Sequence, residues 1–171
     1  MISSALVFAL LLPVESAHAQ VPIDGSFSGA TTTRERLGGD FGLGGCLGTP
    51  TGLTGKLWLG TENAVQFSFG GGWGQFKDVS ATADFLVHFR PINVEGDDFS
   101  LPLYAGGGIK TDVLWSVPGG QLLIGPRVVL GATVLVPTLP VDLFIEMAPT
   151  VYVYDTFGWA MDGQIGARYY F

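Results

Sequence analysis

A two-residue alternation in which one face never carries a charge narrows the fold of this chain more than any other feature. In VSATADFLVHFR (79–90), Val79, Ala81, Ala83, Phe85, Val87 and Phe89 share one face of an extended segment. Thr82, Asp84, Leu86, His88 and Arg90 share the other. In VDLFIEMAPTVYV (141–153), Val141, Leu143, Ile145, Met147 and Val151 oppose Asp142, Phe144, Glu146 and Tyr152. Near the C-terminus, Met161, Ile165, Ala167, Tyr169 and Phe171 oppose Asp162, Gln164, Arg168 and Tyr170. In 52–60, Leu53, Leu57 and Leu59 oppose Thr54, Lys56 and Trp58. No stretch has a convincing helical period, and the punctuation between segments is Pro, Gly, Asp and Asn.

Eight strands are expected, at about 41–48, 52–60, 63–74, 79–90, 101–110, 121–136, 141–153 and 159–171. A soluble β-sandwich also alternates, but it turns its charges to water. A transmembrane barrel reverses this, with an uncharged exterior against lipid and a polar interior. A charge on the lipid face costs about 2–4 kcal/mol at the midplane, which explains a face that excludes charge. Strands of nine to eleven tilted residues cross a bilayer, and an even number closes without an unpaired edge. The expected fold is therefore all-β: an eight-stranded antiparallel up-and-down transmembrane β-barrel over 41–171. Trp73, Phe89, Trp159, Tyr169 and Phe171 fall near strand ends, as interfacial aromatic girdles do.

Composition agrees. The 171 residues are 47% hydrophobic and only 13% charged, with 26 glycines and 12% aromatics; the aromatics argue against low complexity. Residues 1–19 read as a secretory signal peptide. Ala5–Val14 is an apolar run too short to span as a helix, and Ala17-His18-Ala19 fits the cleavage pattern. Met1–Ser4 lacks Lys and Arg, a departure from that pattern. Residues 20–40 read as a flexible periplasmic leader carrying Arg34, Glu35 and Arg36. Without 1–19, which contain only Glu15 among charged residues, 14 acidic and 8 basic residues give a net charge of −6. That opposes nucleic-acid binding. Cys46 is the only cysteine, so an intramolecular disulfide is excluded, and one histidine outside the signal leaves no Cys/His metal site.

At the C-terminus, QIGARYYF resembles the targeting signal of bacterial outer-membrane barrels: polar Gln164, Gly166, apolar-facing Tyr169 and terminal aromatic Phe171. GLGGCLGTPTGLTGKLWL, LPLYAGGGIK, LFIEMAPTVYV and GQIGARYYF resemble a widespread group of small outer-membrane barrel proteins without an assigned function, similar in architecture to OmpA-type and OmpX-type eight-stranded barrels. The resemblance spans about 41–171. It implies a bacterial outer-membrane location, insertion by the barrel-assembly machinery with periplasmic chaperones, and contact with outer-membrane lipids. It supplies no catalytic or ligand-binding residue. A monomer is expected. With both termini periplasmic, the outer connections are short, at about 49–51, 75–78, 111–120 and 154–158, while the longest polar connection, Pro91–Ser100, faces the periplasm. Short outer loops weigh against an adhesin or receptor.

The expected lumen-facing ionisable groups are Lys56, Asp84, His88, Arg90, Lys110, Arg127, Asp142, Glu146, Asp162 and Arg168. Their near-balance predicts internal pairing, because buried charges must be paired or hydrated and an eight-stranded interior is just wide enough for side chains to fill. Lys56, Asp84, Arg127, Glu146, Asp162 and Arg168 are expected to form a mid-barrel charge network. The function expected is a structural or envelope role with a closed polar interior. The alternative is a narrow small-solute pore, motivated by lumen-facing Gly42, Gly44, Gly48, Gly70, Gly72, Gly106, Gly108, Gly125, Gly131 and Gly166, each of which leaves volume. A lipid-modifying enzyme is the third reading. His88 would need a carboxylate and a nucleophile, and Asp84 lies roughly 13 Å away along the strand. No enzyme, cofactor or metal is expected, and Cys46 reads as an inert buried thiol.

Overall fold

The computed structural model describes residues 37, 39–72, 78–89, 92–93, 100–135 and 139–171. The expected signal peptide, nearly all of the expected leader, Trp73 and Arg90 lie outside the described residues.

Eight long strands close into one antiparallel barrel: β1 (Phe41–Gly48), β2 (Thr51–Trp58), β3 (Asn63–Gly71), β4 (Asp78–His88), β7 (Leu103–Leu114), β8 (Gln121–Leu135), β9 (Val141–Tyr152) and β10 (Gly158–Tyr170). Consecutive barrel strands are neighbours, and β10 returns to pair with β1. A two-stranded ribbon, β5 (Ile92–Asn93) with β6 (Ser100–Leu101), sits in the β4–β7 connection and takes up Leu101, which was expected to open the fifth barrel strand. β7 runs four residues past its expected end, which turns Thr111–Leu114 from loop into wall.

Register fixes the barrel's geometry. Gly42 pairs with Lys56, then Gln66, Asp84, Gly108, Arg127, Thr150 and Ala160 follow round the wall. Gly42 also pairs directly with Tyr170, ten positions beyond Ala160. A stagger of that size over eight strands tilts each strand by about 40° from the axis. Each residue then advances roughly 2.5 Å along the axis.

Alternation places the faces as expected. Lys56, Asp84, Lys110, Arg127, Asp142, Glu146, Asp162 and Arg168 are buried inside. Leu53, Phe69, Ile109, Val128, Ile145, Met147 and Ile165 are exposed outside. Among the described residues, no Asp, Glu, Lys or Arg occupies an outward strand position. This is a soluble core turned inside out.

Prolines are accommodated at a cost to the ladder. Pro149 offers no N–H, and the β8–β9 pairs skip from Arg127↔Thr150 to Leu130↔Met147 around it. The β1–β2 turn contains a cis Thr49–Pro50 peptide and Gly48 at φ 131°, a backbone conformation that favours glycine. At the end that carries both strand termini, Leu37 is buried with Trp58, Ala64, Leu135 and Tyr170. A residue expected in the leader therefore belongs to the barrel's terminal-end core.

Candidate functional site: the lumen

The lumen is built in levels, and tilt decides which side chains share one. Nearest the terminal end, Lys56 Nζ lies 2.7 Å from His88 Nε2, and His88 Nδ1 lies 3.3 Å from the Glu62 carbonyl oxygen. A carbonyl only accepts, so Nδ1 carries the proton and Nε2 accepts from the ammonium. Lys56 Nζ also stands 4.8 Å from the ring centroids of Trp58 and of Tyr104. The ammonium is thus held by a neutral imidazole and two ring faces.

The next level is centred on Glu146 and Arg168. Gln66 Nε2 donates to both Glu146 oxygens at 2.8 and 2.9 Å, and Tyr104 Oη donates to Glu146 Oε1 at 2.6 Å. Arg168 Nη1 donates to Gln66 Oε1, so one neutral amide joins the anion to the cation. Arg168 Nε donates to Asp142 Oδ1 at 3.2 Å, and Tyr170 Oη donates to Asp142 Oδ2 at 2.9 Å. The guanidinium lies 3.8 Å from the Phe144 ring centroid. Beyond this level, Arg127 Nε approaches Asp84 Oδ1 at 3.2 Å. Towards the far end, Lys110 Nζ donates to Asp162 Oδ1 at 2.8 Å and stands 3.4 Å from Asp112 Oδ2. Thr150 donates to Asp162, and Tyr152 donates to Asp112.

All six expected network residues face the lumen, yet they do not form one network. Glu146 and Arg168 share a level; Asp84 and Arg127 pair with each other; Asp162 pairs with Lys110; Lys56 binds His88. The stagger separates them along the axis. Sequence reasoning missed Gln66 as the linker, the tyrosine hydroxyls as donors, and Asp112, which had been placed in a loop. Gln66 does share the Lys56 and Asp84 alternation phase, a signal that could have found it.

The lumen glycines correct a second expectation. Three of them are cradles for rings rather than empty volume. A Cβ on Gly42 would lie 2.7 Å from Tyr170, one on Gly131 would lie 2.4 Å from Tyr104, and one on Gly166 would lie 2.6 Å from Phe144. Each ring lies over the glycine paired with it on the adjacent strand. A Gly131→Ala variant is therefore expected to push Tyr104 off Glu146 and destabilise the barrel by about 1–3 kcal/mol, as overpacking does. Urea unfolding of the refolded barrel measures this, and an unchanged midpoint would contradict the cradle.

His88 stacks on Tyr104 at a centroid distance of 4.9 Å and meets the tilted ring of Trp58 at 4.3 Å, while Asp84 is engaged by Arg127. The geometry therefore does not assemble a His88–Asp84 pair. Cys46 is buried and directs its Sγ to the Pro50 carbonyl oxygen at 3.4 Å. In the assembly-signal set, Gln164 and Gly166 are on the lumen side. Tyr169 and Phe171 are outside, 5.0 Å apart edge to face.

Fold and interior define the class: a closed eight-stranded antiparallel barrel with a charged, aromatic-lined core and an apolar exterior, compatible with OmpX-like architecture. Comparison of the chain with family models, curated proteins and solved structures gave no match.

Proposed function

We propose that the chain is an integral protein of the bacterial outer membrane, with a structural role in the envelope and an interior closed by its charge network. The observation that carries this reading is the reversed polarity. An aqueous protein would leave Ile109, Val128, Ile145, Met147 and Ile165 exposed around its wall while burying at least eight charged side chains. In hydrocarbon the same arrangement is favourable, because the apolar wall meets lipid and the charges are kept inside.

The dimensions support it. Trp159 on β10 and Phe171, the residue after its end, both point outward, 76% and 71% exposed. Twelve residues apart on a strand tilted by about 40°, they stand roughly 30 Å apart along the axis, the thickness of a bilayer core. Phe41, Phe89 and Tyr169 lie near the terminal-end rim; Trp115, Tyr154 and Phe157 lie near the far rim. Such girdles occupy interfaces. The terminal end then faces the periplasm, and Gln164, Gly166, Tyr169 and Phe171 serve as the signal read by the barrel-assembly machinery. Outer-membrane lipids are the exterior's partner.

Against the small-solute pore stands the filling of the terminal half by Trp58, Tyr104, Phe144, Tyr170, Leu135 and Leu37. Planar-bilayer recording of the refolded protein is expected to give no stable conductance steps. Reproducible unitary steps would overturn the closed interior in favour of a pore.

A further inference from the structure

At the far mouth of the lumen, β4 and β7 bring together polar groups that their neighbours satisfy only in part. Asp78 and Ser80 share the inward phase of β4, and Asp112 on β7 pairs directly with Ser80. With Thr49, Lys110 and Leu114, these three line a cavity of about 230 Å³. One water occupies about 30 Å³ of liquid, so the space admits a molecule of several heavy atoms.

Each group has binding capacity left. Ser80 is 2% exposed, and its hydroxyl has no hydrogen-bond partner although buried hydroxyls are ordinarily paired. Tyr152 and Lys110 both approach Asp112 on Oδ2, which leaves Oδ1 as the free acceptor of a side chain 12% exposed. Asp78 accepts from the Ser116 hydroxyl at 2.9 and 3.2 Å, a neutral donor that leaves the carboxylate charge uncompensated. Lys110 is the one cation among the lining residues. Its ammonium is nearer to Asp162, at 2.8 Å and outside the lining, than to Asp112 at 3.4 Å. Counting Asp162 with the lining sets three carboxylates against one ammonium, an excess of two negative charges among the described residues.

We propose that this mouth binds a small organic cation, a primary ammonium or a guanidinium, whose N–H groups donate to Asp112, Asp78 and the Ser80 hydroxyl. The register gives the span. Asp78 and Asp112 are diagonal neighbours on one sheet face, about 7–8 Å apart. A nitrogen centre placed between them reaches both carboxylates, and hydrogen bonds to ionised acceptors are the strong ones. An anion is opposed by the excess charge, and a neutral solute gains nothing from it. A divalent metal ion would need more oxygen ligands than two carboxylates and a hydroxyl provide, and it would stand beside an ammonium. The site is confined to the cavity's own lining and does not depend on whether the terminal half of the barrel is closed.

The test uses the full chain refolded in uncharged detergent, with an unboiled gel verifying closure of each variant. The probes are ethylammonium, ethanol and propionate in phosphate buffer at neutral pH, read by saturation-transfer NMR. The expected result is saturable transfer to ethylammonium and none to the other two. Asp112→Asn and Asp78→Asn are each expected to weaken ethylammonium binding about tenfold, the loss of one hydrogen bond to a charged acceptor. Glu62→Gln, which removes an exposed carboxylate at the terminal end, is expected to leave it unchanged. Asp78→Asn, at the rim, carries the test if Asp112→Asn does not close. Absence of saturable transfer to ethylammonium, equal transfer to all three probes, or unchanged binding in the closed Asp→Asn variants would overturn the site and leave the envelope role untouched.

Discussion

Removing the guanidinium in an Arg168→Met variant is expected to cost about 3–5 kcal/mol, the range for breaking a buried charge pair from one side. The geometry explains why the loss is at the top of the scale. Arg168 is fully buried; it faces Asp142 and Glu146, and it holds the Gln66 amide that carries their link. Without it, two carboxylates remain in the terminal half, and the nearby Lys56 is held by His88. The loss is a large share of a typical domain stability of about 5–15 kcal/mol. Lys110→Met makes the informative contrast. Its carboxylate partners stand towards the open end, with the Asp112 side chain 12% exposed, so water can replace the ammonium in part. Urea titration of both refolded variants is expected to put Arg168→Met well below Lys110→Met. Equal, small shifts would contradict a structural charge core.

The second large effect is on the other face. Met147 points outward, 55% exposed, at mid-height of β9. For a protein in water, Met147→Arg would be an ordinary surface substitution, within about 0.5 kcal/mol of neutral. At a bilayer midplane it costs about 2–4 kcal/mol. Measuring the variant's folding free energy in phospholipid vesicles separates the two. A loss in that range is expected, and a change within the surface range would place the exterior in water.

How much of this was legible in the sequence follows from the difference between period and register. Period two is local, so the faces of β2, β4, β9 and β10 can be read directly, down to the inward Arg168 beside the outward Tyr169. Register is not local. Whether Glu146 meets Arg127 or Arg168 depends on the stagger accumulated around eight strands, which no single segment encodes. That is why the six expected charges were placed inside but grouped as one network, while their pairs fall at separate levels. The glycines failed for the same reason. Gly131 looks empty until Tyr104 on β7 is known to be its cross-strand partner. Asp112 was lost to a boundary: GIKTD continues the β7 alternation without an apolar emphasis to mark it, and four residues of wall passed for loop.

Reconstitution tests the central claim most directly. The purified chain, diluted from urea into phospholipid vesicles, is extracted with alkaline carbonate and then run on a cold gel with and without boiling. The account predicts that the chain stays with the vesicles and that its unboiled form migrates apart from the boiled form, as an inserted closed barrel does. Release into the carbonate supernatant with identical migration of the two forms would contradict it.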